Sequence, residues 1–361
     1  MSAFSASLSN FRPGFDEYLE NYLDKRIEES KVLNTQFTKC LLEIKRISML
    51  RGAKRLRPAL ANFGYLINQP SVTNQKEIYD LGCALELFHG SALIYDDIID
   101  EGLTRRGQPT IEAHYQSYYR GILGNKHSID HLAMSSALLA GDLAQSMADS
   151  IISTIDNSNL REFYFEMAFE LVGGQLDDCF GVGLTDLNEL KEESIIKMLK
   201  TKSGNYSIQK PILMGMILAG VSKADPKFQA MSKIGENIGL IFQFTDDILG
   251  IFGNEDTTGK SNTSDIIEGK KTLLMLKTYQ MSNDLDCLRI RSILGNKNYK
   301  IEEINWLKEQ VITTGTLKFV KDYCLDLHNS VYEIAQTNLD TTNSAISSIL
   351  DLSKFLLMRS T

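Results

Sequence analysis

The sequence predicts an all-α protein, and three observations predict it. Only six prolines punctuate 361 residues, few for a strand-rich chain of this size with its many turns. Apolar residues recur at intervals of three and four, the period of one helix face. No run alternates apolar and polar residues as a half-buried strand does. Leu81, Ala84, Leu85, Phe88, Ala92 and Tyr95 form one such stripe within Leu81–Ile99. Ile238, Ile241, Phe242 and Thr245 form a second, and Ile346, Ile349, Leu350 and Leu356 a third. Gly, Asn, Pro and Thr cluster at 67–75, 105–110, 121–129, 156–159, 253–264 and 295–300, which are read as the loops. No connection is long or low in complexity, so residues 1–361 are expected to form a single domain, a helical bundle.

Composition narrows the function. Hydrophobic residues make up 43% and charged residues 23%, an ordinary globular balance. The net charge of -8 excludes a global basic field that would recruit nucleic acid or an anionic membrane. An anionic ligand must therefore be held by a local basic cluster or by metal ions. Cys40, Cys83, Cys179, Cys287 and Cys324 include no CxxC pair and are expected to be reduced and buried, as in a cytoplasmic protein. The first twenty residues lack the basic start and apolar run of a signal peptide. No stretch reaches 18 uninterrupted apolar residues, so no transmembrane segment is expected.

The stretch LIYDDIIDEGLTRRGQPT, residues 93–110, carries Asp96, Asp97 and Asp100 at the end of the first stripe. Carboxylates four apart share one helix face and repel by a few tenths of a kcal/mol when exposed, ~0.2–0.5. They also stand at the helix end where the macrodipole disfavours negative charge. One reading is a solvated acidic patch; the other is a divalent cation such as Mg2+, which prefers carboxylate oxygens and keeps positions for phosphate. Arg105 and Arg106 follow directly, either as charges that satisfy the helix end or as a bidentate phosphate clamp.

A second region repeats this order. Asp246 and Asp247 end an apolar helical stripe, and Lys260, Lys270 and Lys271 follow in and after a Gly-rich loop. Two such helices facing each other would line a deep central cavity with an acidic mouth ringed by cations. GNEDTTGKS resembles a P-loop, but five residues rather than four separate Gly253 from Gly259, and a helix rather than a strand precedes it. Nucleotide binding by that route is rejected. RGAKRLRP, residues 51–58, leads into a helix N-terminus, a place that favours anions; its alternative is a basic surface. KTKSGNYSIQKP, residues 200–211, adds lysines within what reads as a helix interruption.

Taken together these motifs resemble the trans-prenyl diphosphate synthases, and geranylgeranyl-type enzymes in particular. Asp96, Asp97 and Asp100 match the first aspartate-rich motif, with Arg105, Arg106 and Gly107 after it. Phe242, Gln243, Asp246 and Asp247 match the second, and Lys260, Asp265 and Lys270 its GK…D…K tail. Lys54 and Arg57 match GGKRxRP, His89 stands at the family's His/Gln position, and Gln175 and Asp178 match GQxxD. The resemblance covers about residues 51–272. Three positions depart: Ala53 replaces a glycine, Gly250 stands in place of the last aspartate of the second motif, and Ser203 follows Lys202 where threonine is usual.

The resemblance implies the isoprenoid synthase fold and head-to-tail condensation of isopentenyl diphosphate with an allylic diphosphate. It implies a homodimer. It implies a cluster of three Mg2+ ions held by Asp96, Asp100, Asp246 and Asp247, with Asp178 as a further candidate. Asp97, Arg105, Lys202, Ser203, Gln243 and Lys260 join the catalytic set. Lys54, Arg57, His89, Arg105, Arg106, Lys202, Gln243, Lys260 and Lys270 are implied to bind substrate. Ser91 and Ala92, one turn before Asp96, and Phe88 beyond them are expected to set product length. No aromatic residue floors the cavity at 91 or 92, so a product longer than C15 is expected, C20 foremost and C25 or more as the alternative. A class I terpene cyclase and a regulatory subunit of a heteromeric synthase are the other readings. The second Asp pair followed by GK, with Lys54/Arg57, argues against the cyclase, and retention of the first aspartate motif whole and most of the second argues against the subunit.

Overall fold

The computed structural model describes residues 3–50, 52–69, 71, 73–124, 128–183, 187–253 and 262–359. Helices follow one another along the chain: α1 (Ala3–Ser30), α2 (Thr35–Ser48), α3 (Leu56–Asn68), α4 (Gln75–Ile99), α5 (Ile111–Leu123), α6 (Ile129–Thr154), α7 (Ser158–Gly183), α8 (Glu192–Leu199) and α9 (Lys210–Leu218). Then come α10 (Pro226–Phe252), α11 (Ser264–Ile267), α12 (Leu273–Gln280), α13 (Asp284–Ile293), α14 (Ile301–Thr313), α15 (Thr316–Asn338) and α16 (Ser344–Arg359). The all-α expectation holds. Side-chain oxygens start many of the helices by accepting from the first turn: Asn34 from Phe37, Asn74 from Glu77, Thr110 from Ala113, Thr272 from Met275 and Asn283 from Asp286. Asp225 caps α10 with Pro226 at its first position.

Two local features were not legible in the pattern. A minimal hairpin pairs Thr104–Arg105 (β1) with Gln108–Pro109 (β2). Its turn residues Arg106 and Gly107 both have positive φ, 52° and 72°, the signature of a type I′ turn. Strands of two residues are too short to show alternation. The supposed interruption at 200–211 is instead a π-helical segment, Lys200–Gln209, continuous with α8 and α9. Sequence periodicity cannot separate a π turn from an α turn over so short a stretch.

The chain divides into two compact units. One comprises Ser5–Asn62 and Ser71–Arg161. Its centre is α4, which packs along α6 and against α2 and buries Leu81, Ala84, Leu85, Leu87 and Phe88. Gly141 on α6 allows the closest approach: a Cβ there would stand 2.8 Å from the Tyr95 ring. The other unit comprises Met1–Phe4, Phe63–Pro70 and Glu162–Thr361. Its centre is α10, which packs against α15, α16 and the π segment and buries Ile234, Ile238, Ile241, Phe244 and Ile248. The C-terminal stripe behaves as read, with Ile346, Ile349, Leu350 and Leu356 all buried on α16.

The cysteine expectation needs correction. All five are free, but only Cys83 and Cys324 are buried; Cys40 and Cys287 are intermediate and Cys179 is exposed. The apolar neighbours of Cys179 on α7, Leu176 and Phe180, themselves face outward. An apolar sequence neighbourhood therefore did not mean burial.

The π segment meets α10 glycine against glycine. A Cβ on Gly239 would lie 2.7 Å from the Gly204 carbonyl oxygen, and one on Gly204 3.1 Å from the Gly239 carbonyl carbon. Both obstacles are backbone, which moves only with its helix. Gly239→Ala is expected to destabilise the protein by about 1–3 kcal/mol through overpacking, despite alanine's higher helix propensity, read as a lowered thermal unfolding midpoint.

Candidate active site

In the first unit the acidic triad ends α4. Asp96 and Asp97 lie in its last turn, and Asp100 caps it, its N–H donating to the Asp96 carbonyl at 2.8 Å. The chain then reverses: the Gly102 N–H donates to the Asp97 carbonyl at 2.7 Å, and Thr110 Oγ1 donates to the Gly102 carbonyl at 2.9 Å. This reversal and the hairpin return Arg105 onto the acids that precede it. Arg105 Nε donates to both carboxylate oxygens of Asp97 at 2.9 Å, and Nη2 donates to Asp97 Oδ1 at 2.6 Å and to Asp96 Oδ2 at 3.4 Å. Asp97 is nearly sealed from solvent. Of the two sequence readings of the arginine pair, Arg105 thus neutralises the acids, while Arg106 projects from the turn and is exposed.

A basic cluster surrounds His89 on the same helix. Burial and the nearby positive charges of Arg57, Arg105, Arg106 and Arg55 push its imidazole well below the ordinary histidine range. His89 is therefore neutral at physiological pH, able to donate from one ring nitrogen and accept at the other. Arg57 is buried in the first turn of α3, whereas Lys54 is exposed just before it. Four of the expected substrate-binding residues, Arg57, His89, Arg105 and Arg106, are thus brought into one electrostatic neighbourhood. Ser91 is fully buried and bonded to Tyr95, Phe88 is buried, and Ala92 remains partly accessible.

In the second unit each acid near the end of α10 meets a cation or another acid. Arg359, on the last turn of α16, donates from Nη2 to Asp246 Oδ1 at 3.3 Å. Lys202, on the π segment, pairs with Asp178 of α7, and Lys270 pairs with Asp265 at 3.1 Å and Glu268 at 2.8 Å. Lys200 pairs instead with Glu236. Asp247 has no such direct partner: its Oδ2 is enclosed and meets no donor among the described residues. Burial, followed by the charges of Asp265 and Asp246, holds its carboxyl well above the usual range. Gln243 and Ser203 are partly accessible, and Lys260 lies outside the described residues. Gly250 is explained locally, since a Cβ there would stand 2.1 Å from Asp265 Oδ2; the Asp265 carboxylate fills the space of the missing side chain.

Two residues were missed by the sequence reading. Arg359 lies over a hundred positions from Asp246 with no motif around it, and Asp265 was seen as part of a tail rather than as a neighbour of Gly250. Neither pairing leaves a signal in local spacing. Among the described residues no three acidic, His or Cys groups are already gathered as a metal shell. The donor chemistry nonetheless fits a hard divalent cation. Every candidate ligand is a carboxylate, and the enclosed Asp247 oxygen, beside the charges of Asp265 and Asp246, meets no hydrogen-bond donor among the described residues.

Comparison with known proteins agrees with this chemistry. Residues 38–311 match the family described as Polyprenyl synthetase. The short chain isoprenyl diphosphate synthase of Methanocaldococcus jannaschii is 30% identical over 299 residues, 82% of this chain and 80% of that one. The geranylgeranyl diphosphate synthase of Sulfolobus acidocaldarius is 29% identical over 302 residues, 81% of this chain and 82% of that one. Among solved structures, geranylgeranyl pyrophosphate synthase from Corynebacterium glutamicum, complexed with isoprenyl diphosphate and magnesium, superposes with a TM-score of 0.85 at 26% identity, over 96% of this chain and 98% of that one.

Two outcomes follow from the charges. The unfolded chain takes up a proton on His89 near its ordinary value of 6.5 that the folded chain refuses. The associated stability is fully present above that pH and is lost as pH falls below it. His89→Gln is expected to flatten this acid-side slope, measured as the difference in unfolding midpoint between pH 5 and pH 8 for the two proteins. Asp247→Asn removes a carboxyl whose ionisation is opposed by burial and by the charges of Asp265 and Asp246. It is expected to raise the metal-free unfolding midpoint by about 1–3 °C and to shrink the further rise produced by Mg2+.

Proposed function

The chain belongs to the polyprenyl synthetase family and is a prenyltransferase; on that premise we propose that it elongates allylic diphosphates with isopentenyl diphosphate to a product longer than C15, geranylgeranyl diphosphate (C20) foremost. The observation that carries the chain length is the absence of an aromatic floor one turn before Asp96, where Ser91 and Ala92 stand. Phe88, buried one turn further back, is the next candidate floor and favours C20 over longer products.

Divalent metal use follows from the acidic donor sets and from the magnesium-bearing relative. We propose Mg2+, three ions in all, with Asp96 and Asp100 and, on α10, Asp246 and Asp247 as ligands and Asp178 as a further one. Bound there, Mg2+ supplies charge neutralisation to a departing diphosphate. The remaining work belongs to the chain. Arg105, Lys202, Lys260 and Lys270 bind the allylic diphosphate. Asp178 holds Lys202, and Asp265 and Glu268 hold Lys270, so these ammonium groups are aimed before substrate arrives. Asp97 holds Arg105 in the same way.

Lys54, Arg57, Arg106 and neutral His89 bind the diphosphate of isopentenyl diphosphate. Once the allylic carbon–oxygen bond breaks, the amide oxygen of Gln243, the hydroxyl of Ser203 and carbonyl dipoles shield the cation. The alkene of isopentenyl diphosphate forms the new carbon–carbon bond, and a proton is lost to the departing diphosphate.

The proposed homodimer draws support from α7. Phe165, Phe169, Val172, Leu176 and Phe180 recur at helical spacing and are all exposed, Phe169 by 77% and Phe180 by 70%. A stripe of this size on one helix face marks an interaction surface. The cytoplasmic location is likewise a proposal; no helix among the described residues is long and apolar enough to cross a membrane.

The test incubates the protein with Mg2+, labelled isopentenyl diphosphate and C5, C10 or C15 allylic diphosphates, then sizes the dephosphorylated products. Products ending at C20 are expected. A stop at C15 would refute the missing-floor reading, a ladder past C20 would move the floor beyond Phe88, and hydrocarbon release without isopentenyl incorporation would reveal a cyclase. No turnover with any starter would identify a regulatory subunit. Ala92→Phe is expected to shift the products toward C15.

A further inference from the structure

We propose that Arg55, which cannot itself touch a ligand, is a positioning residue: its buried ion pairs hold the backbone in a strained turn that aims Lys54 and Arg57 at the isopentenyl diphosphate. The inference rests on the proposed role of those two residues.

The geometry of Arg55 argues against any direct contact with substrate. Its side chain is 3% exposed. Nε donates to Asp16 Oδ1 at 2.6 Å, Nη1 donates to Glu86 Oε2 at 2.7 Å, and Nη2 lies 3.5 Å from the Met49 sulfur. The guanidinium is thus committed inward on every side, to α1, to α4 and to the end of α2. Glu86 is almost as buried as the arginine it binds.

The backbone at Arg55 is unusual as well. Its φ is +52°, one of only three positive values at non-glycine residues among those described. Left-handed backbone at a long side chain persists only where the surroundings enforce it, and such strain gathers at functional positions. Arg55 also starts α3, its carbonyl accepting the Ala59 N–H at 3.1 Å. The single left-handed residue therefore sets the angle between Lys54 before the helix and Arg57 in its first turn. Arg106, assigned to the same diphosphate, is another of the three positive-φ residues. A charged pair that served only to tie α1 to α4 would need no left-handed backbone between two cationic side chains.

The test reads binding separately from stability. Isopentenyl diphosphate alone cannot condense, so its affinity is measurable by calorimetric titration. Arg55→Lys and Glu86→Gln each weaken the fork without removing both partners. The pair Arg55→Gly with Glu86→Gln leaves no lone buried charge and lets the backbone relax. All three are expected to weaken isopentenyl diphosphate binding about tenfold or more, since misplacement by ~1 Å has effects of that order or greater. The KM for the allylic diphosphate should stay within about twofold. A purely structural role would lower the unfolding midpoint yet leave isopentenyl affinity at the wild-type value below that temperature, and that result would overturn the inference. So would a parallel loss of affinity for both substrates. Lys54→Ala and Arg57→Ala serve as references. If they weaken isopentenyl binding while the Arg55 variants do not, only the positioning role fails; if they too leave it unchanged, the assignment of the site itself fails.

Discussion

Negative charge at the end of α4 is the constraint from which the geometry of the first acidic cluster follows. Three aspartates crowd the carboxyl end of a helix whose dipole already opposes them, and Asp97 is buried there. An uncompensated buried carboxylate would cost several kcal/mol, about 3–5 by the measure of broken buried pairs. Arg105 answers it with contacts to both oxygens of Asp97 and a longer one to Asp96. That contact requires the chain to turn back within a few residues. The tight reversal at Gly102 and the type I′ turn at Arg106–Gly107 do this. The same turn presents Arg106 outward, so one solution to a charge problem yields both a paired and an exposed arginine.

The second acidic cluster solves a similar problem with partners drawn from distant helices. Asp178, Asp265 and Asp246 are met by Lys202, Lys270 and Arg359. Asp247 is left beside other carboxylates with an enclosed oxygen. This imbalance is the electrostatic basis of the proposal that a hard cation binds here. Gly250 shows how a motif departure is absorbed: the side chain lost at 250 leaves room on the α10 surface for Asp265. A carboxylate is still presented one helical turn after Asp246, contributed from another part of the chain.

Packing of small residues places these groups. Gly141 lets α6 approach Tyr95 of α4, and the Gly204–Gly239 contact lets the π segment lie directly on α10. The π geometry matters because it widens the helix by one residue per turn and so shifts the hydrogen-bonding register of Lys202 and Ser203 relative to a regular α-helix. Segments of this kind recur at functional positions, and here the segment carries two residues proposed to take part in the reaction.

The sequence by itself determined the helices, the position of each charged motif and the chemistry those motifs share. These depend on periodicity and on residue type within a turn or two, which a linear chain displays directly. The two acidic clusters and the basic element at Lys54 and Arg57 were readable on those terms, whereas His89 and Lys202 stood out only through the family resemblance. Tertiary structure alone decided which cation meets which acid. Arg359 reaching Asp246, Asp265 filling the space at Gly250, and Asp16 with Glu86 enclosing Arg55 join residues separated by 15 to more than 100 positions. Local spacing carries no trace of such pairs, because they form only when helices pack. For the same reason Cys179 looked buried in sequence and is exposed in the fold: an apolar neighbourhood along the chain fixes which residues share a helix face, while packing decides whether that face is covered.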